Sequence, residues 1–114
     1  MKKEFSDYLE DILDSILKIE NFVEGLSFED FKDDDKTVFA VIRALEIIGE
    51  ASKKISQQLK DGYPQIPWRE ISGMRDKLIH GYFGVDLRVV WDTIIIDIAN
   101  LKPQIKKMLD EMVE

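Results

Sequence analysis

Residues 5–26 read FSDYLEDILDSILKIENFVEGL, and their spacing decides the fold class. Phe5, Tyr8, Leu9, Ile12, Leu13, Ile16, Ile19, Phe22, Val23 and Leu26 recur at three- and four-residue intervals, one apolar stripe along a helix over about residues 3–24. Gly25 suits the position just past the helix end, where a left-handed backbone closes the last turn at no steric cost. Immediately outward, Ser27 and Asp30 have the spacing of a capping pair for a short helical turn. Asp33, Asp34 and Asp35 follow, supplying an N-cap and first-turn carboxylates beside the positive end of a helix dipole.

The second long helix is expected over about 35–60, with Val38, Val41, Ile42, Leu45, Ile48, Ser52, Ile55 and Leu59 on its inner face and Gly62 and Pro64 ending it. Glu46 and Glu50 share a face four residues apart, a like-charge pair that Arg43, Lys53 and Lys54 can offset. No second Glu/His pair accompanies them, so a bundle-type metal site is not expected. YPQIPW, residues 63–68, is a connector, and Pro67 suits the first position of a third helix over about 67–80, with a break near Gly73. Gly81 to Val85 reads as a loop and Asp86 as the N-cap of the last helix. There Val90, Trp91, Ile94, Ile95, Ile98, Leu101, Ile105, Met108, Leu109 and Met112 keep helical spacing, and Pro103 is expected to kink or divide the helix. No alternating strand pattern interrupts the series. The chain is therefore read as one all-α domain, residues 1–114, an antiparallel bundle of four to five helices. Trp91 and the run Ile94-Ile95-Ile96 exceed what one small bundle covers, which predicts a homodimer.

The 114 residues contain no cysteine, which removes disulfides, thiolate metal sites and a Cys nucleophile. The N-terminus lacks the apolar run of a signal peptide, and no apolar run approaches a bilayer span, so a cytoplasmic protein without membrane segments is expected. Residues 1–36 carry 5 basic and 12 acidic side chains, whereas residues 37–114 carry 11 of each. The whole excess of −7 thus lies in the N-terminal third, and any nucleic-acid site must be local and in the neutral part.

GMRDKLIHGYFG, residues 73–84, holds the residues best suited to chemistry. Arg75 offers a permanently charged planar fork that fits phosphate. His80, the only histidine, can take and give a proton near neutrality. An arginine and a histidine without metal ligands point to cleavage of RNA, whose 2′-hydroxyl is a built-in nucleophile. Arg75 would stabilise charge on the phosphorane-like transition state, a role often worth ~10²–10³ in rate. Five residues turn an ideal helix through about 140°, so Arg75 and His80 converge only if the helix bends or ends near His80. Asp76, four residues before His80, can orient the imidazole, and Tyr82 can donate its hydroxyl to the phosphate. A symmetric pair of these segments would supply both a base and an acid. The plainer reading of the same residues is a helix-end arginine and a surface or core histidine.

Arg75-Asp-Lys-Leu-Ile-His80-Gly-Tyr82 resembles the R-x-x-x-x-H-x-Y motif of the HepT-like family of HEPN-domain toxins. The likeness extends in order through Arg43-Ala-Leu-Glu-Ile-Ile-Gly-Glu-Ala51, Ile66-Pro-Trp68, Ile71-Ser-Gly73, Gly84-Val-Asp86 and Val90-Trp91. It implies a HEPN-like helical bundle that dimerises around a shared cleft and a metal-independent endoribonuclease toxin without cofactor. It also implies a nucleotidyltransferase antitoxin as partner, which transfers adenylate to Tyr82. By position, Arg75 and His80 are the catalytic pair and Asp76 the polar residue beside them. The alternative function is a non-catalytic subunit of the nucleotidyltransferase that binds nucleotide or RNA without cutting.

Overall fold

The computed structural model describes residues 2–74, 76 and 86–112, with side chains from Phe5 onward. In chain order the helices are α1 (Lys2–Val23), α2 (Phe28–Lys32), α3 (Asp35–Lys53), α4 (Gln57–Asp61) and α5 (Trp68–Ser72). After the segment that carries the motif come α6 (Leu87–Asp92), a π-helical stretch (Thr93–Ile98) and α7 (Ala99–Met112). The fold class is all-α, as the periodicity requires, and no strand occurs among the described residues.

α1 lies between α3 and α7, and these three helices form the frame. Leu9, Ile12, Ile16 and Ile19 of α1 are fully buried, with Val41, Leu45 and Ile48 from α3 and Ile105 and Met108 from α7. Each such side chain contributes about 1.5–3 kcal/mol through burial, which outweighs the weak intrinsic stability of any one helix. Lys102 of α7 adds a bond to Glu20 of α1 at 2.9 Å, on the outside of the same contact.

The local punctuation follows the residues. Gly25 has φ +77°, and the Leu26 N–H donates to the carbonyl of Val23 at 2.9 Å. Ser27 and Asp30 complete a reciprocal capping box at α2. Asp34 caps α3 through the Thr37 N–H, and Asp86 caps α6 through the N–H groups of Arg88 and Val89.

Three expectations change. The helix placed at 35–60 divides: α3 stops at Lys53, and Ser56 caps α4 by accepting from the Leu59 N–H at 3.2 Å. The break keeps Ile55 buried while the chain turns, and a serine cap offsets the lost helical bonds. In the last helix the irregularity falls at Thr93–Ile98, before Pro103, which stands inside α7. The Thr93 hydroxyl donates back to the carbonyl of Val89 at 2.8 Å, a bond that competes with the regular ladder. The widened turn buries Ile94 and Ile98 but leaves Ile95 and Ile96 about half exposed, at 52% and 55%. Trp91 is not surplus apolar surface: it packs on Phe31 at 5.1 Å and edge-on to Phe28 at 6.2 Å.

Candidate active site

Arg75, His80 and Tyr82 lie outside the described residues, as do Leu78, Ile79 and the loop expected at Gly81 to Val85. Asp76 is described: it is helical and exposed, two residues after Met74, which is buried.

What the structure fixes is how the motif is held at its two ends. On the N-terminal side, α5 packs on α3. The buried Ser52 of α3 donates to the carbonyl of Gly49 at 2.9 Å, and its oxygen lies 2.9 Å from the hydroxyl oxygen of Ser72. With the Ser52 proton committed to Gly49, Ser72 is the donor between the two hydroxyls. Ile71 and Met74 are buried beside this bridge, so the backbone entering Arg75 leaves from a fixed point. The connector before α5 is equally held. The Trp68 indole N–H donates to the carbonyl of Tyr63, and the Tyr63 hydroxyl donates to the carboxylate of Glu111 near the end of α7. That bond, helped by burial, raises the Tyr63 phenol above its usual range. Lys60 lies over the Trp68 ring at 5.8 Å, and burial lowers its ammonium from the usual value.

On the C-terminal side, Asp86 starts α6, and α6 is tied to α2 through Trp91 and through Arg88, whose guanidinium lies 4.8 Å from the centre of the Phe28 ring. Arg88 also pairs with Asp92 at 3.5 Å.

Between these anchors a cleft of about 770 Å³ opens beside α5 and the π-helical stretch. Gly73 and Met74, the residues just before Arg75, line it. Among its described lining residues are two carboxylates, Glu70 and Asp97, and three amides, Gln65, Asn100 and Gln104. Its apolar lining includes Ile71, Met74, Ile98 and Leu101. Sequence reasoning passed over this polar set. Its signal is the spacing of Thr93, Asp97, Asn100 and Gln104, a polar stripe along the same helix that carries the core stripe. Glu46 and Glu50, weighed above as a carboxylate pair, each face a cation instead: Arg43 at 3.5 Å and Lys53 at 4.0 Å.

Comparison with known proteins decides the family. The model of the family described as "Ribonuclease HepT-like" matches residues 12–108. This chain belongs to the HepT-like ribonuclease family. A protein of Thermococcus cleftensis named "Probable ribonuclease HepT" is 58% identical over 95% of this chain and 98% of its own length. Two further members of the family, each named "Putative RNase", are similar over nearly their whole length. One, from Caldanaerobacter subterraneus subsp. tengcongensis, is 46% identical over 91% of this chain and 93% of its own. The other, from Methanocaldococcus jannaschii, is 42% identical over 99% and 97%. No solved structure matches the chain. Among the described residues no helix is long and apolar enough to cross a membrane.

Proposed function

We propose that this chain is an endoribonuclease and the toxin of a toxin–antitoxin pair, working as a homodimer with Arg75 and His80 at a shared cleft. The observation that carries the reading is membership of a ribonuclease family together with the intact R-x-x-x-x-H-x-Y motif in the sequence between α5 and α6.

The reaction is an internal transfer. The 2′-oxygen of the ribose bonds to phosphorus, and the bond from phosphorus to the 5′-oxygen breaks. One His80 imidazole takes the 2′-hydroxyl proton, and the imidazolium of the other copy gives a proton to the leaving 5′-oxygen. The products are a 2′,3′-cyclic phosphate and a 5′-hydroxyl, so neither water nor a metal-bound hydroxide is needed as nucleophile. Arg75 stabilises charge on the phosphoryl oxygens. Asp76, helical and exposed, acts as the orienting carboxylate.

His80→Ala tests the assignment. Purified wild-type protein cuts RNA in the presence of EDTA, and the variant is at least about a hundredfold slower at equal thermal stability. Equal cutting by both overturns it and favours the non-catalytic reading, in which the acidic N-terminal third docks a basic partner.

The regulating partner is a nucleotidyltransferase antitoxin that modifies Tyr82. The phenol oxygen bonds to the α-phosphorus of a nucleoside triphosphate, pyrophosphate leaves, and the phenolic proton passes to solvent. The added phosphate pairs with Arg75 and its base blocks the cleft. Mass spectrometry after co-expression finds one adenylate on the peptide containing Tyr82, whereas modification only at other residues contradicts this role.

A further inference from the structure

Gly73 joins α5 to the motif, two residues before Arg75. Its backbone is right-handed here, with φ −82° and ψ −3°, but a glycine has more backbone freedom than any other residue. A swing at this joint would carry the residues that follow it. α5 cannot prevent the swing by itself. It is five residues long, too short to be stable alone, and Pro67 at its start offers no side-chain cap.

The structure holds the joint from both sides. On the near side, Trp68, Ile71 and Ser72 are spaced to share one face of α5. Ile71 is buried, which keeps α5 against α3 but does not orient it, because apolar contact is non-directional. The hydroxyls supply the direction. Ser72 donates to the Ser52 oxygen at 2.9 Å, and Ser52 donates to the Gly49 carbonyl at 2.9 Å. The bond to Gly49 fixes the Ser52 hydroxyl, and so fixes where its oxygen accepts. Ser52 is fully buried, out of reach of competing water, and hydrogen bonds in such a chain strengthen one another. At the joint itself, the Gly73 N–H donates to the Arg69 carbonyl at 2.9 Å, and a Cβ on Gly73 would meet that same oxygen at 3.3 Å. On the far side, Met74 is buried.

Arg75 is the next residue in the chain, one peptide or about 3.8 Å from Met74 between Cα atoms. We infer that Ser52 and Ser72 are positioning residues of the ribonuclease: their hydroxyl chain removes the freedom of Gly73 and so sets the point from which Arg75 reaches the phosphate. The inference rests on the ribonuclease reading, with Arg75 as the group that stabilises transition-state charge. Such a group must be closely placed, since an error of about 1 Å can cost on the order of a hundredfold in rate. An interaction made only in the transition state shows its loss in kcat and leaves KM alone.

The test compares full-length wild type with Ser72→Ala, Ser52→Ala, the double variant and Ser72→Thr, on a single-stranded oligoribonucleotide in EDTA, well below every thermal midpoint. Ser72→Ala lowers kcat at least about tenfold at unchanged KM. The shape of the pH profile stays the same, because neither hydroxyl titrates in the range of a histidine. Ser52→Ala gives a similar loss, and the double variant is no slower than either single one, since the two hydroxyls act as a unit. Ser72→Thr, which keeps the hydroxyl, restores most of the rate. A kcat of Ser72→Ala equal to wild type, a loss confined to KM, losses that multiply in the double variant, or a threonine variant as slow as the alanine one overturns the proposal and leaves the ribonuclease. No cutting by wild type removes both.

Discussion

Asp34 holds the first turn of α3 with two bonds, accepting from the Thr37 N–H at 3.1 Å and from the Thr37 hydroxyl at 2.8 Å. The hydroxyl bond is the main reason its carboxyl is held below the ordinary 3.8, with the N–H bond next. A carboxyl depressed in the folded state stabilises above its unfolded value, and that contribution disappears as pH falls through the folded value. Asn caps as well as Asp but does not titrate. Thermal midpoints of wild type should therefore fall more steeply below about pH 4 than those of Asp34→Asn, and parallel curves would contradict the cap. Caps of this kind were legible because the partners lie within three residues: Ser27 with Asp30, Asp34 with Thr37, Asp86 with Arg88 and Val89. The Ser52–Ser72 bridge was not legible, because twenty residues separate two unremarkable serines and only the packing of α5 on α3 brings them together.

Helix existence was readable from periodicity, and helix continuity was not. Residues 35–60 keep an inner-face pattern throughout, yet the chain turns at residues 54–56, since Ser56 offers a cap that periodicity does not weigh. The π-helical stretch has the same lesson. Pro103 is the visible breaker, but it stands inside α7, while the ladder widens at Thr93–Ile98. Such widened turns are often found at functional sites. Here the stretch supplies Thr93 and Asp97 to the cleft and turns Ile95 and Ile96 outward. Those two isoleucines are what remains of the apolar excess that predicts a dimer, now that Trp91 is accounted for within the chain. Ile95→Asp with Ile96→Asp should weaken self-association by at least about a hundredfold, because each buried isoleucine is worth about 1.5–3 kcal/mol. Sedimentation checks this, and an undisturbed dimer would place the interface elsewhere.

At the scale of the whole molecule, charge, frame and site divide cleanly. The acidic excess of −7 belongs to residues 1–36, in α1 and α2 and the turn before α3. α1, α3 and α7 form a frame that fixes the exits of the chain into and out of the motif. The motif itself was the most legible part of the candidate site, because its residues are close in sequence. Glu70 and Asp97 were the least legible, because helices distant in sequence bring them to one cleft. One part of the proposed chemistry depends on no partner: the 2′-hydroxyl is the nucleophile. Analysis of the ends left on RNA cut in EDTA tests it most directly. A 2′,3′-cyclic phosphate facing a 5′-hydroxyl is the predicted result. A 3′-hydroxyl facing a 5′-phosphate, or cutting that stops when metal is removed, would contradict it.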